Sequence, residues 1–293
     1  MRKQFVTTLE KILAEDDQAV LLLGDIGVFG FRQAFAAWPE RIYNIGILEQ
    51  STIGLAAGLA MTGFIPTVHT IATFLVERAF EQLKLDFCYQ GLGGNFVSVG
   101  GAYDYAALGC THHCPGDVGI LKTLPTMEIV LPGTPAEFDI LFKSAYNDGQ
   151  PTYYRLSERS NSQSFAVEFG KGLLVKKGKS ATILAVGTAL NPVLEAVRDL
   201  DVSVLYYTTV RPFDYQLLKE TAVNNKIMLC EPYYSGGLLP EIRQAFGLAP
   251  LIIETIGVPN VFLHHYGQPE EHDQFVGLTA ANIRQKLLQL INC

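Results

Sequence analysis

Short apolar runs alternate with helical patterns along this chain, and that rhythm leaves few architectures open to it. Residues 19–24, 41–44, 65–70, 95–99, 127–131 and 152–156 are apolar stretches of strand length. Between most of them the spacing predicts helices, near residues 4–15, 49–62, 73–88 and 135–147. In the first, Phe5, Leu9, Ile12 and Leu13 fall on one side. Thr134 followed by Pro135 is a helix start signal, because proline fits the first turn, where a missing N–H loses no partner. Strands that alternate with helices imply crossover connections. The expected fold is therefore α/β, with doubly wound, mostly parallel sheets covered by helices on both faces.

A polar tract, Ser157-Glu158-Arg159-Ser160-Asn161-Ser162-Gln163-Ser164, interrupts the rhythm. Beyond it Lys171-Gly172 opens a second series, with strands expected at residues 181–186, 202–207, 226–230 and 251–254 and a closing helix near 279–291. The expected organisation is two α/β domains, residues 1–160 and 171–293, joined by a linker over 161–170.

Composition narrows the function. The 293 residues are 48% hydrophobic and only 17% charged, which supplies apolar surface for contacts with other chains as well as for the cores. A net charge of −7, with no Lys/Arg cluster, argues against nucleic acid as a partner. No Asp, Glu, Lys or Arg occurs between Gln50 and Val76, but Gly63, Pro66 and His69 divide that run into helix, turn and strand rather than a membrane span. No apolar signal core follows Met1, and the five cysteines are too irregular for a disulfide framework, so a cytoplasmic location is expected. The ligand-rich string Cys110-Thr111-His112-His113-Cys114 is too contiguous to wrap a tetrahedral ion, and no metal site is expected in this chain.

One carboxylate stands out. Glu49 is the only charged residue in the run Ile45 to Ala60, at the head of a Gly/Ala-rich helical pattern. A poorly solvated carboxylate needs a partner that rewards a raised pKa, and such groups concentrate at sites of proton chemistry. A glutamate in a first helical turn also interacts favourably with the helix dipole, so a structural role competes. Gly54 and Gly58, four apart, let another backbone approach this helix. In open parallel sheets ligands collect at the carboxyl ends of strands. The loops there hold Asp25, Glu49, Phe74 and the segment 100–115, with Tyr103, Asp104, Tyr105, His112 and His113.

These strings form an ordered set. Asn44-Ile45-Gly46-Ile47-Leu48-Glu49-Gln50 resembles the Gly-Ile-x-Glu-x motif of the thiamine-diphosphate transketolase family. Thr73-Phe74-Leu75 with Arg78-Ala79-Phe80-Glu81-Gln82 resembles the aromatic segment of its pyrimidine-binding domain, in a form close to deoxyxylulose-phosphate synthases. Gly109-Cys110-Thr111-His112-His113 is similar to a Gly-Pro-Thr-His motif. Thr209-Val210-Arg211-Pro212-Phe213-Asp214, and Glu231 with Gly236-Gly237, resemble the C-terminal domain of the same family.

The resemblance implies that Glu49 hydrogen-bonds a pyrimidine ring nitrogen of thiamine diphosphate and promotes proton removal from the cofactor, and that Phe74 stacks on the ring. Asp25, Ile26, Arg78 and Phe80 complete the implied cofactor contacts. His112, His113, Asp104, Arg2, Arg155 and Arg159 are the implied substrate contacts, with His112 also catalytic. The family's diphosphate-binding Gly-Asp-Gly motif has no full match, since Gly24-Asp25-Ile26 and Gly116-Asp117-Val118 both lack the third glycine. The implied protein is therefore the C-terminal subunit of a split transketolase. A separate N-terminal subunit would hold the diphosphate and Mg²⁺ or Ca²⁺, and this chain would form a homodimer inside an α2β2 heterotetramer.

Departures from the family pattern bear on the substrate. Leu108 stands where transketolases carry a sugar-binding aspartate, and Phe29 where they carry a serine. Asp104 either replaces the aspartate or caps a turn. Arg2, Arg155 and Arg159 either bind substrate phosphate or form ordinary ion pairs. The leading expectation is transfer of a two-carbon ketol unit from a ketose to an aldehyde. A decarboxylating thiamine-diphosphate enzyme, like deoxyxylulose-phosphate synthase or the beta subunit of a 2-oxo-acid dehydrogenase, competes with it. A non-catalytic scaffold is the third reading, and Glu49 argues against that one.

Overall fold

The computed structural model describes residues 1–293. Its first part runs α1 (Arg2–Glu15), β1 (Ala19–Leu23), α2 (Arg32–Ala37), β2 (Ile42–Asn44), α3 (Glu49–Met61) and β3 (Ile65–Ile71). Two π-helical stretches, Phe74–Arg78 and Leu83–Tyr89, then flank the single turn α4 (Phe80–Gln82). β4 (Gly94–Val99), α5 (Asp117–Leu121), β5 (Glu128–Val130), α6 (Pro135–Ala145) and β6 (Pro151–Arg155) follow. The second part comprises β7 (Gly172–Lys176), β8 (Thr182–Val186), α7 (Leu190–Ala196), β9 (Ser203–Tyr207), β10 (Thr209–Arg211), α8 (Tyr215–Thr221), β11 (Lys226–Tyr234), α9 (Leu239–Phe246), β12 (Ile252–Val258), α10 (Pro269–Val276) and α11 (Ala280–Asn292).

The strands form a seven-stranded sheet, in the order β10-β5-β6-β4-β3-β1-β2, and a five-stranded sheet, in the order β12-β11-β8-β9-β7. All pairings are parallel except those of the edge strands β10 and β7. The expected α/β class with mostly parallel sheets therefore holds, and the two antiparallel edges are additions to it. β10 follows β9 after one residue but crosses to the first sheet, where it pairs with β5.

Both faces of each sheet are covered, and the inner strands β1, β4, β6, β8 and β9 are buried along their whole length. Along β1, Ala19, Leu21 and Leu23 enter one apolar cluster while Val20 and Leu22 enter another. Each cluster continues into the second sheet, through Ile183 and Ala185 on one side and Leu184 and Val186 on the other. At about 1.5–3 kcal/mol for each large side chain fully buried, these alternating contacts dominate stability. No helix is long and apolar enough to cross a membrane.

The helix expected over 73–88 is not one α-helix. Ala79, buried against the core, leaves helical geometry at φ −105°, ψ 20°, and the coil on either side widens to π-helical turns. Such turns are rare and recur at functional sites. The one at Phe74 lies at the carboxyl edge of the first sheet.

Candidate active site

The ends of β1, β2 and β3 build the floor of a pocket of about 360 Å³. Gly24 packs under Thr70, so closely that a Cβ there would lie 3.0 Å from the Thr70 Cβ. Asp25 then adopts left-handed geometry, φ 68°, which a short polar side chain tolerates better than most. Its N–H donates to Asn44 Oδ1 at 3.0 Å, and the same oxygen accepts from the Gly46 N–H at 3.2 Å. Asn44 thereby ties the turn after β1 to the turn that leads into α3.

Glu49 is the first residue of α3, on the face that also buries Thr52, Ile53, Ala56 and Ala57. It is 3% exposed. Its Oε2 accepts from Arg78 Nη1 at 2.7 Å, while its Oε1 is buried with no hydrogen-bond partner. Leaving such an oxygen unmatched costs roughly 1–3 kcal/mol, which a donor from a ligand would recover. The Arg78 guanidinium also lies 4.2 Å from the centroid of the Phe74 ring, so one cation braces both the carboxylate and the aromatic ring. Phe74 meets His112 edge-on at 5.3 Å. His112 Nδ1 sits 2.9 Å from Thr111 Oγ1, and its ring is 6.3 Å from that of Tyr105.

Asp25, Ile26, Glu49, Phe74 and His112 all line this one pocket, and Arg78 braces it. Thr70 and Ile47 line it too, and neither is among the residues expected at the site. Ile47 lies inside the string that leads to Glu49, while Thr70 carries no signal beyond its place at the end of a strand.

The remaining candidates lie elsewhere. Phe80 packs against the core. His113, next to His112, turns away into the interior, with both ring nitrogens unpartnered. Asp104 is buried and accepts from Ser157 Oγ at 3.0 Å and the Glu158 N–H at 3.1 Å, which is the turn-holding alternative for this residue. Arg155 is buried against Asp117, Nε to Oδ2 at 2.6 Å, and donates to the Pro232 carbonyl at 3.0 Å. Arg159 donates to Asp273 Oδ2 at 2.6 Å. Arg2 pairs with Glu158 and lines a separate cavity of about 270 Å³ with Phe29 and His69. His69, locked to the Val97 carbonyl at 2.8 Å, is pushed by burial down to about 4.

The pocket offers an aromatic wall in Phe74, beside a buried carboxylate with one oxygen left without a donor.

The chain belongs to the transketolase family. It matches the transketolase pyrimidine binding domain over residues 1–163 and the transketolase C-terminal domain over residues 170–283. It is 39% identical, over 97% of this chain and 92% of the relative, to an uncharacterized 33.6 kDa protein in the fasciation locus of Rhodococcoides fascians. It is 27% identical, over 99% of this chain and 97% of the relative, to an apulose-4-phosphate transketolase subunit from Phocaeicola vulgatus strain ATCC 8482. The 1-deoxy-D-xylulose-5-phosphate synthase of Acidovorax ebreus strain TPSY is 31% identical over 90% of this chain, which spans only 42% of that longer relative. Among solved structures, a split gene transketolase described as an inactive beta4 tetramer superposes with a TM-score of 0.87 at 28% identity, covering 99% of this chain and 97% of the other.

Proposed function

We propose that this chain is the C-terminal subunit of a split, thiamine-diphosphate-dependent transketolase, which moves a two-carbon ketol unit from a ketose to an aldehyde acceptor. One observation carries the reading: Glu49, which lines a pocket walled by Phe74, is buried at a helix start with one oxygen held by Arg78 and the other unmatched. When bound, the cofactor supplies the electron sink for the transferred carbanion. Glu49 Oε1 would hydrogen-bond a pyrimidine ring nitrogen of the bound cofactor and hold or release the proton shared between them. Phe74 stacks on the pyrimidine, worth about 0.5–1.5 kcal/mol beyond burial. Ile26 and Thr70 line the pocket beside the ring site, and His112 would donate to a carbonyl or hydroxyl oxygen of the sugar.

The diphosphate and its Mg²⁺ or Ca²⁺ belong to a separate N-terminal subunit. The face that α3 turns outward supports such a contact. Gly54 and Gly58 lie on it with Leu55 and Met61, which are 46% and 66% exposed, and Ile47 and Leu48 extend it. A homodimer of this chain within a cytoplasmic α2β2 assembly completes the proposal. Of the substrate-binding candidates only His112 reaches the pocket. Arg155 and Arg159 are engaged with carboxylates, which favours an acceptor held without a dense arginine cage.

The test is Glu49→Ala in the complex with the N-terminal subunit. Turnover should vanish while the complex still assembles, and near-normal ketol transfer by that variant would sink the mechanism. Tight Mg²⁺-dependent thiamine-diphosphate binding by this chain alone would refute the split-subunit reading. The decarboxylating alternative is favoured by the deoxyxylulose-phosphate synthase relative, and release of CO₂ from pyruvate would select it.

A further inference from the structure

His112 has few contacts of its own. Its partner hydroxyl is on the adjacent residue, and Phe74 and Tyr105 touch only its ring. Its position is therefore set by the loop that carries it, residues 100–115, whose two ends meet in a single bridge between Ala102 and Cys114. That loop is held from the second half of the chain. Tyr103, fully buried, donates its hydroxyl to Asp273 Oδ1 at 2.6 Å, and Asp273 Oδ2 accepts from Arg159 at 2.6 Å. The buried ring of His272 packs 5.2 Å from Tyr103 and meets His113 edge-on at 5.3 Å. His265 stacks on the other side of His272 at 4.3 Å. Tyr266 lies on Gly109, where a Cβ would come within 2.5 Å of the Tyr266 ring. Gly109 itself has φ 72°, ψ −165°, a conformation that only glycine reaches without strain. Residues 265–273 thus grip the loop at Tyr103, Gly109 and His113, on both sides of His112.

Neither ring nitrogen of His113 or of His272 has a hydrogen-bond partner. Burial, followed by the neighbouring imidazole (His272 for His113, His265 for His272), lowers the pKa of both rings. A cavity of about 90 Å³ behind the loop, bounded by Cys110, His113, Tyr234 and Phe262, gives the loop room to shift if the grip fails.

We propose that His272 and Tyr266 are positioning residues for the reaction, clamping the loop 100–115 so that His112 faces the pocket of Glu49 and Phe74. The clamp rests on the functional reading above for its catalytic consequence, but its mechanical part stands alone. Neither residue touches the pocket. A small displacement of a substrate-contacting group is enough to matter, since a misplacement of about 1 Å can lower a rate about a hundredfold.

The test uses the assembled complex loaded with thiamine diphosphate and Mg²⁺, with Tyr266→Ala, His272→Ala and His272→Phe in this chain. Two quantities are read: amide hydrogen exchange over residues 100–115, and kcat/KM for the aldehyde acceptor. Both alanine variants should speed loop exchange about tenfold and lower kcat/KM about tenfold, with the Kd for thiamine diphosphate within about twofold of wild type. His272→Phe, which keeps a ring in the stack, should recover most of both losses. Tyr266 is 67% exposed, so its variant decides the matter if His272→Ala does not fold. Unchanged loop exchange in Tyr266→Ala, or faster exchange with kcat/KM intact, overturns the clamp. If the wild-type complex lacks ketol transfer, the functional proposal fails instead, and the exchange data still decide whether residues 265–273 hold the loop.

Discussion

Replacing Arg155 by methionine removes the cation from an ion pair that water does not reach. Asp117 is fully buried and Arg155 is 5% exposed. Asp117 Oδ2 accepts from Arg155 Nε at 2.6 Å and from the Tyr153 hydroxyl at 2.9 Å. After the substitution the carboxylate keeps only the tyrosine and the Val118 N–H, and the Pro232 carbonyl on β11 loses its donor. Stripping one partner from a buried pair costs about 3–5 kcal/mol, because the remaining charge stays desolvated. That is a large share of the roughly 5–15 kcal/mol typical of a whole domain. Gly101→Ala should do similar damage by another route, since its Cβ would stand 2.5 Å from Arg155 Nε. Arg155→Met with Asp117→Leu should recover about 1–3 kcal/mol of the single variant's loss, as both charges then leave together. Urea unfolding followed by circular dichroism reads these differences as midpoint shifts. If Arg155→Met lies within about 1 kcal/mol of wild type, the pair is not a desolvated tie.

Three further outcomes test other parts of the molecule. Arg78→Met removes both the Glu49 ion pair and the cation over Phe74, and should weaken thiamine-diphosphate binding and lower kcat by about tenfold or more, with Arg78→Lys only partly restoring them. Cofactor titration and steady-state rates check this, and equal behaviour of the lysine and arginine forms would contradict a fork-and-face role. His69, with a folded value of about 4 against 6.5 when exposed, makes the unfolded chain the better proton binder between those values. Stability should therefore fall as pH drops through that window, by about 3 kcal/mol in all. His69→Phe, compared with wild type at each pH so that other groups cancel, should remove that slope, and parallel curves would refute it. Loss of turnover with assembly retained in Glu49→Ala completes the set, read by activity and by size-exclusion of the complex.

Much of the fold was legible because parallel strands buried on both faces leave unmistakable apolar runs. β1, β3, β4 and β6 fall within a residue or so of the expected stretches. The edge strands β7 and β10 were not among the expected strands: β7 is only half-buried and β10 is three residues long, so neither leaves a distinct buried apolar run. The site divides in the same way. Asp25, Glu49 and Phe74 follow β1, β2 and β3, so strand order alone brings them together. The arginines could not be placed from sequence. Whether a guanidinium faces substrate or a carboxylate of its own chain depends on residues far along the sequence: Asp117 for Arg155, and Asp273 for Arg159. His112 and His113 are adjacent and chemically identical, yet the loop turns one into the pocket and the other into the interior. Only the backbone path of residues 100–115 separates their roles.

The crossing of β10 has a consequence for the chain as a physical object. The strand closes the open side of β5, and the Leu131 N–H continues the pairing to the Thr208 carbonyl at 2.7 Å. Residues 1–163 expressed alone would expose β5 as a bare edge, with Ile129 and Leu131 stripped of the cover that Val210 and Phe213 supply from the same cluster. Such a fragment should self-associate through that edge. The two sheets should therefore melt in one transition, and a nick between residues 156 and 171 should leave both pieces joined until it.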